Sequence, residues 1–584
     1  MRFLLCGINA KYIYSNLAIF CLKSYAEKNG PVSAEYIIKE YTINHYVEDI
    51  LQDLYETKAD VIIFSCYIWN ISYVRELSEE LKKVNPDLSI WVGGPEVSYD
   101  AEQFLQENPD IDLVMQGEGE HVFTELVKLY EKSEMVNYSC YPEGVAVRNS
   151  DSNIYNTGFA PLMDLNQVPF VYDDFQLFEH KILYYETSRG CPFSCSYCLS
   201  SIDKSVRFRS MELVESELQR FLEARVPQVK FVDRTFNCNK KHAMAIWKYI
   251  YEHDNGITNF HFEISSDLLD EDALTLFSEM RPGLIQLEIG VQSTNPPTID
   301  AIHRHMDLDK LFENVDKVHK LGNIHQHMDL IAGLPFETYD QFRKSFNDLY
   351  VHEPDQLQLG FLKVLKGTCM EEQVEGYGIR YRSLPPYEVL MTDWLTYDEV
   401  IRLKGIEELV EMYYNSGQYT CTLSYVMPFF ESPFAFFEQF SEEYRRKGCH
   451  KMNHNRMSKY EILRDFLLGQ SLELPYLDQI LLLDMYLREN IKARPSWAAD
   501  LSGYKKEWKE LYRNQGELLF PKEWKDGSYD SKKAANQSHL EVFDFNVSRF
   551  MEERKLESGS YLCLFDYGKR NPLDKNAQIR QIDT

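Results

Sequence analysis

Three cysteines stand together in one short stretch of the chain. Cys191, Cys195 and Cys198 are spaced C-x3-C-x2-C within Thr187-Ser188-Arg189-Gly190-Cys191-Pro192-Phe193-Ser194-Cys195-Ser196-Tyr197-Cys198. The run before them, Ile182-Leu183-Tyr184-Tyr185-Glu186, is apolar and aromatic and reads as a strand. Gly190 and Pro192 break that strand, so the thiols follow on one tight loop where their sulfurs can converge. Thiolates suit zinc or an iron–sulfur cluster. A cubic cluster usually takes four cysteines, so three leave one iron open to a substrate or cofactor. Zinc would want a fourth protein ligand, and none lies close in sequence.

The elements that must position this loop alternate in type. After the strand at Leu183 come a helix from Ser210 to Ala224, a strand Val229–Asp233 and a helix Lys241–Glu252. Strands then recur at Asn259–Ile264, Leu284–Val291, His325–Ile331 and Gln356–Leu365. Six β/α units of this kind fit a partial barrel built by the rules of the eight-fold one, whose active sites lie at the carboxyl ends of the strands. Those ends carry the cysteines, Asp233, Glu263, Glu288 with Gln292 and Ser293, Asp329 and Lys363. Each polar strand residue could equally belong to a buried network inside the barrel.

The first third alternates in the same way. Arg2–Ile8 reads as a strand, Leu17–Lys28 as a helix ended by Asn29-Gly30-Pro31, and Val61-Ile62-Ile63-Phe64-Ser65 as a strand buried on both faces. The pattern predicts an open Rossmann-like parallel sheet over residues 1–135. Ligands of such sheets bind beyond the carboxyl ends of the strands. The loops there are Asn9 to Asn16, Cys66 to Asn70, Gly93-Gly94-Pro95-Glu96 and Gly117-Glu118-Gly119-Glu120. Glycine lets a backbone approach a large ligand closely, although glycine after a strand is often just a turn. Residues 136–175 read as a linker with a hairpin around Val145-Ala146-Val147 and polar connectors such as Asn149-Ser150-Asp151-Ser152-Asn153.

Beyond residue 371 the periodicity is helical, at Val400–Tyr414, Ser432–Lys447, Lys459–Leu468 and Tyr476–Ile491. Asp544-Phe545-Asn546 and Leu564-Phe565-Asp566-Tyr567 read as two late extended segments in an otherwise mostly helical domain. Cys449, His450 and His454 are too few for a metal site. The fold class is therefore α/β: a sheet domain, a partial (β/α)6 barrel over residues 176–370, and a mostly helical domain over 371–584.

The totals narrow the function. A chain of 584 residues needs more than one core. Its net charge of −29 disfavours a surface that holds nucleic acid non-specifically. No apolar run approaches the length of a membrane span, and apart from the triplet the 12 cysteines are scattered, which fits a reducing, cytoplasmic compartment.

The cysteine motif with an aromatic before its last cysteine, followed by Glu288-Ile289-Gly290-Val291-Gln292-Ser293 and Asp329-Leu330-Ile331-Ala332-Gly333-Leu334-Pro335, resembles the radical SAM superfamily over roughly Leu183 to Thr368. With the loops of the first domain, it resembles the cobalamin-binding type of that superfamily, and the last third resembles the uncharacterised C-terminal domain of one of its groups. The resemblance implies a [4Fe–4S] cluster on Cys191, Cys195 and Cys198 whose free iron chelates S-adenosylmethionine. It also implies Tyr197 beside the adenine, Asp233 near the methionine amino group, Glu263 or Glu288 on the ribose, Arg304 on the carboxylate, and Gln292 in the same cofactor-binding set. Gly93, Gly94, Gly117 and Glu118 would face cobalamin. One departure is plain: the D-x-H-x-x-G signature that supplies a cobalt ligand in many cobalamin proteins is absent, and His45 and His121 stand in other contexts.

Three readings follow. The first is a radical SAM enzyme, with cobalamin-dependent methyl transfer as one option. The second is a radical SAM enzyme without cobalamin, performing rearrangement, cyclisation or sulfur insertion. The third is a non-catalytic iron–sulfur protein of electron transfer or sensing. Either enzyme implies an electron donor such as flavodoxin or ferredoxin and a small-molecule or peptide substrate. The helical domain is expected to cover the barrel mouth, because radicals need water excluded.

Overall fold

The computed structural model describes residues 1–135, 137–149, 151, 153–491, 493–514, 519–520 and 530–582. Ser150 and Ser152 of the polar connector lie outside the described residues. The chain divides into two units, the first made of Met1–Leu321, Ile331–Thr338 and Gly360–Thr396, the second of the rest.

The first unit holds two parallel sheets. Strands β1 (Arg2–Asn9), β2 (Glu35–Thr42), β3 (Val61–Ser65), β4 (Ser89–Gly93), β5 (Leu113–Met115), β6 (Val145–Arg148) and β7 (Ile154–Asn156) form one sheet in the order β2-β1-β3-β4-β5-β6-β7. The first five are parallel, and β6 and β7 add an antiparallel hairpin at the edge. The segment read as a linker thus extends the sheet: Val145-Ala146-Val147 is buried and pairs with β5. The two faces are packed by alternate residues. Leu4, Cys6, Ile62, Phe64, Ile90 and Val92 enter one core, while Phe3, Leu5, Val61, Ile63 and Trp91 enter the other. That period of two is the strand geometry itself, and it explains why β3 has no polar residue before Ser65.

The second sheet is built from β8 (Leu183–Tyr185), β9 (Gln228–Phe231), β10 (Asn259–Ile264) and β11 (Ile285–Gln292), paired in parallel in that order. Two further strands follow, β12 (His325–Ala332) and β13 (Gln356–Phe361), and the unit boundary runs through both. Their carboxyl ends lie in the first unit, where the Leu362 N–H donates to Ala332 O at 2.9 Å and the Val389 N–H to Leu362 O at 2.8 Å. Among the described residues this is an open sheet ending at β8, not a closed barrel. Behind it packs an aromatic layer in which the Phe262 ring stands 4.4 Å from both Phe231 and Phe236, and Trp247 stands 4.9 Å from Phe277. Residues Gly360–Thr396 belong to this unit, so the second unit takes up the C-terminal part of the chain only from Tyr397.

The second unit is mostly helical, as its periodicity predicts. Helices span Tyr397–Leu409, Pro433–Arg446, Arg456–Gly469 and Leu477–Arg488, the last buried along almost its whole length. The late extended segments belong to a three-stranded antiparallel sheet, β14 (Ser538–Phe545), β15 (Ser558–Arg570) and β16 (Ala577–Ile582), one strand more than the sequence pattern shows. No described helix is long and apolar enough to cross a membrane.

Candidate cofactor site

The cysteine loop leaves β8 under tight control. Gly190 has φ +90°, and a Cβ there would meet Ser205 O at 2.7 Å, so the turn needs glycine. Ser188–Arg189 pairs antiparallel with Arg207–Phe208, and the Cys191 N–H donates to Asp203 O at 3.0 Å. Ser201 Oγ donates to the carbonyls of Cys195 and Cys198 at 2.8 and 2.6 Å. Cys191 and Cys195 are buried and Cys198 is half-buried.

Asp233, at the end of β9, holds the root of the loop. Its carboxylate accepts from the Thr187 N–H at 3.0 Å and from the Thr187 and Ser188 hydroxyls at 2.6 Å each. Burial pushes this carboxyl up to about 6, although the three donors work against the rise. The side chain is 1% exposed and its oxygens are occupied by the loop.

Glu263 and Glu288 face each other across β10 and β11. Lys230 lies 2.9 Å from Glu288 and 3.9 Å from Glu263, and His261 Nε2 lies 3.0 Å from Glu288. Burial alone would raise the Glu288 carboxyl, but hydrogen bonds from His261 and Lys230 hold it well below the usual range. Glu288 is part of an internal charge network, the alternative the sequence left open.

Gln292 is different. It ends β11 with φ +73°, a strained region for a side-chain-bearing residue, and its buried Oε1 has no hydrogen-bond partner among the described residues. Gly290 makes room for it: a Cβ there would sit 2.3 Å from Gln292 Nε2. Arg304 spans the same place, donating through Nη2 to Gly290 O and lying 3.7 Å through Nη1 from Cys195 Sγ. Tyr197 packs on a cluster that includes Ile302, Leu334 and Leu362. An orphaned acceptor, a guanidinium and a ring beside the thiols suit a polar cofactor at the cluster.

The carboxyl end of the first sheet opens on a groove of about 470 Å³ lined by Gly93, Gly94, Gly117 and Glu118 of that sheet and by Glu186, Arg189 and Arg234 of the second. Gly94 has φ +114°, and a Cβ there would meet Cys66 O at 2.5 Å. Arg189 stands between the two sheets. Its guanidinium lies 2.5 Å from Glu120, 2.9 Å from Glu186 and 3.6 Å from Glu118, while Arg207 lies 2.6 Å from Glu118. Burial raises the Glu186 carboxyl, whereas Arg189 pulls Glu120 down against its own burial. Neither His45 nor His121 lines the groove. His45 Nδ1 instead accepts from the Thr42 N–H at 3.0 Å in a turn.

Sequence reasoning had Tyr67 and Glu120 on the loops where a ligand would bind without singling them out, and missed Arg189, Glu186 and Arg234 as groove residues. Arg189 had a signal, a cation two residues before Cys191, but its acidic partners are distant in sequence.

Three family models cover most of this chain: a B12 binding domain over residues 4–127, the radical SAM superfamily over 185–349, and a protein of unknown function, DUF4080, over 375–565. The chain thus carries a B12-binding domain in front of a radical SAM domain. It is 26% identical to a cobalamin-dependent radical SAM methyltransferase, TokK, of Streptomyces tokunonensis over 64% of this chain and 57% of that one. It is 24% identical to the 2-(S-pantetheinyl)-carbapenam-3-carboxylate methyltransferase of Streptantibioticus cattleyicolor over 86% of this chain and 76% of that one. In fold it is similar to the radical S-adenosylmethionine methyltransferase TsrM from Kitasatospora setae, solved with cobalamin and a [4Fe–4S] cluster (TM-score 0.55, 15% identity, 66% of this chain and 78% of that one). It is also similar to OxsB, a cobalamin-dependent S-adenosylmethionine radical enzyme solved with aqua-cobalamin and S-adenosylmethionine (TM-score 0.58, 16% identity, 83% and 78%). The cofactor set of the two domains is a [4Fe–4S] cluster, S-adenosylmethionine and cobalamin.

Proposed function

We propose that this chain transfers a methyl group to a small-molecule substrate by radical chemistry, using all three cofactors. The observation that carries the reading is Arg189: two residues from Cys191, it is ion-paired to Glu118 and Glu120 of the loop at the mouth of the B12 groove. One side chain thereby ties the cluster loop to the corrinoid domain. Such a tie would hold the two cofactors at a fixed distance from one another.

When bound, the cluster and S-adenosylmethionine supply a radical that removes a hydrogen atom from substrate, and cobalamin supplies the methyl group. The chain's own residues do the rest. Cys191, Cys195 and Cys198 would hold the cluster, with Asp233 fixing the start of their loop. Gln292 would offer its orphaned Oε1 to the amino group of S-adenosylmethionine, Arg304 would pair with its carboxylate, and Tyr197 would flank its adenine. Glu263 stays a candidate for its ribose hydroxyls, while Glu288 keeps the strands' interior charges neutralised. Gly93, Gly94 and Gly117 would let the backbone approach the corrinoid, and Glu118, which lines the groove, is held by Arg207. Electrons come from outside, from a flavodoxin- or ferredoxin-type donor.

Anaerobic reconstitution with iron, sulfide and cobalamin tests this. The full chain is expected to retain corrinoid through gel filtration and to release 5′-deoxyadenosine when reduced with S-adenosylmethionine. Release without corrinoid retention would favour the cobalamin-free enzyme. An intact cluster that yields no 5′-deoxyadenosine would leave the electron-transfer or sensing reading.

A further inference from the structure

The Cys195 thiol has a cation beside it: Arg304 Nη1 lies 3.7 Å from Sγ, within hydrogen-bonding reach of a sulfur acceptor. We propose that Arg304 sets the reduction potential of the cluster held by Cys191, Cys195 and Cys198, making that cluster easier to reduce. This role requires the cluster but not the methyl transfer proposed above.

The contact is built from the backbone up. The short helix Pro296–Ala301 stops at His303, whose φ of +53° is the left-handed turn of a helix end. There the His303 N–H donates to Asp300 O and the Arg304 N–H to Ile299 O, both at 3.0 Å. The turn leaves the Ile302 carbonyl outside the helix, and it accepts from the Ser196 N–H at 2.9 Å. Ser196 follows Cys195, so the helix end and the cysteine loop are joined one residue from the thiol. Both Ser196 and Ile302 are buried, and Tyr197 packs on the apolar group that includes Ile302.

Arg304 is then held at three points. Nη2 donates to Gly290 O, Nε lies 3.4 Å from Met306 Sδ, and Nη1 reaches Cys195 Sγ. A guanidinium has five N–H donors, so two remain for the carboxylate of S-adenosylmethionine, and the two roles do not compete.

The sign follows from charge. Reduction brings one electron from the flavodoxin- or ferredoxin-type donor and no proton; the iron and sulfide gain one negative charge, and the three thiolates keep theirs. Arginine stays protonated in proteins, and away from water its cation is weakly screened. It therefore stabilises the reduced state more than the oxidised one. Net charge and hydrogen bonds to the sulfurs are levers that set such potentials. Cys191 supplies the contrast. Thr235 Oγ1 lies 3.8 Å from its Sγ, but this hydroxyl is neutral and donates to Arg234 O at 2.8 Å.

The test is a redox titration of the full chain reconstituted with iron and sulfide. Ti(III) citrate and mediator dyes set the potential, S-adenosylmethionine is left out, and electron paramagnetic resonance counts the reduced clusters. In Arg304→Gln the ratio of reduced to oxidised cluster at a given potential is expected to fall about tenfold, the worth of one charge-assisted hydrogen bond. For a one-electron couple that is a midpoint about 59 mV more negative. Arg304→Lys keeps the charge without the fork and should lie between Arg304→Gln and the wild type. Thr235→Val should stay close to the wild type. Unchanged midpoints in both Arg304 variants, or an equal fall in Thr235→Val, would overturn the proposal. So would weaker S-adenosylmethionine binding, read by equilibrium dialysis on the same preparations, with the midpoint unmoved, because Arg304 would then serve the carboxylate alone. If Arg304→Gln keeps no cluster, Arg304→Lys decides: a lower midpoint than the wild type supports the role and an equal one removes it. Neither corrinoid retention nor product formation enters the readout, so the methyltransferase reading can fail while this role stands, and the reverse.

Discussion

The two parallel sheets of the first unit carry their sites in different materials. Under the B12 groove the strands are apolar on both faces, and the groove floor is main chain at Gly93, Gly94 and Gly117. In the second sheet the strand interiors carry Lys230, His261, Glu263 and Glu288, and the strand ends carry thiols, an orphaned amide and a guanidinium. A site made of backbone depends on which residues have no side chain. A site made of side chains depends on which partners hold each group in place. Substitutions should therefore fail by different routes in the two places, and Arg189, which belongs to both, should fail by both.

Cys195→Ala gives the largest effect. It should abolish the iron–sulfur absorption and reduce 5′-deoxyadenosine release to background, while corrinoid retention stays at the wild-type level. Lost corrinoid in that variant would break the comparison, because the two sites would then not be separately built.

Arg189→Gln comes next. It leaves Glu118, Glu120 and Glu186 crowded without their shared cation, and removing one partner of a buried ion pair costs about 3–5 kcal/mol. A melt of the apoprotein should fall by several degrees, and the reconstituted variant should lose corrinoid and cluster together. Arg189→Lys should recover part of the loss, since it keeps the charge but cannot fork to several carboxylates. Loss of one cofactor alone would assign Arg189 to a single sheet.

Asp233→Asn tests the side-chain site through pH. The folded-state carboxyl titrates near 6, above its ordinary value, so the native protein holds a proton that the unfolded chain has already lost. Its contribution is present below about pH 4 and lost as pH rises to about 6, a fall of about 2–3 kcal/mol. Urea unfolding of the apoprotein between pH 4 and 7.5 should show the wild type losing that much relative to Asp233→Asn. A pH-independent difference between the two would mean that Asp233 is ionised throughout.

How much of this was readable in advance follows from the same contrast. The cysteine loop and the strand-end residues were legible because thiols, acids and Gln292 stand at fixed places after apolar runs, and the strand period puts them on one edge. The groove proposed for the corrinoid shows in the sequence only as glycine after strands, a signal shared with ordinary turns. Arg189 was in view beside the cysteines, but its pairing with Glu120, 69 residues away, is tertiary. The hairpin around Val145 was read, but as part of a linker, because its pairing with β5 is tertiary and its second strand is short and half exposed. The three-stranded sheet of the second unit was half-seen because Ala577–Ile582 alternates weakly, with Gln578, Arg580 and Gln581 among six residues. Asp233 and Glu288 were found as residues, but their occupied carboxylates depend on partners that no spacing rule supplies.

The smallest effect tests the backbone half most directly, through two adjacent glycines. At Gly94 the φ of +114° and ψ of 173° lie in a region essentially reserved for glycine, and the added Cβ would press on Cys66 O at 2.5 Å. Gly94→Ala should cost about 1–3 kcal/mol and weaken corrinoid retention while leaving the cluster intact. At Gly93 no positive φ is required, and the nearest atom to an added Cβ is the terminal methyl of Met115 at 3.3 Å, which can move. Gly93→Ala should therefore retain nearly full stability, and any loss of corrinoid there would report the ligand's own approach to the backbone. Equal stability losses at the two positions would show that the turn's conformation is not what the groove depends on.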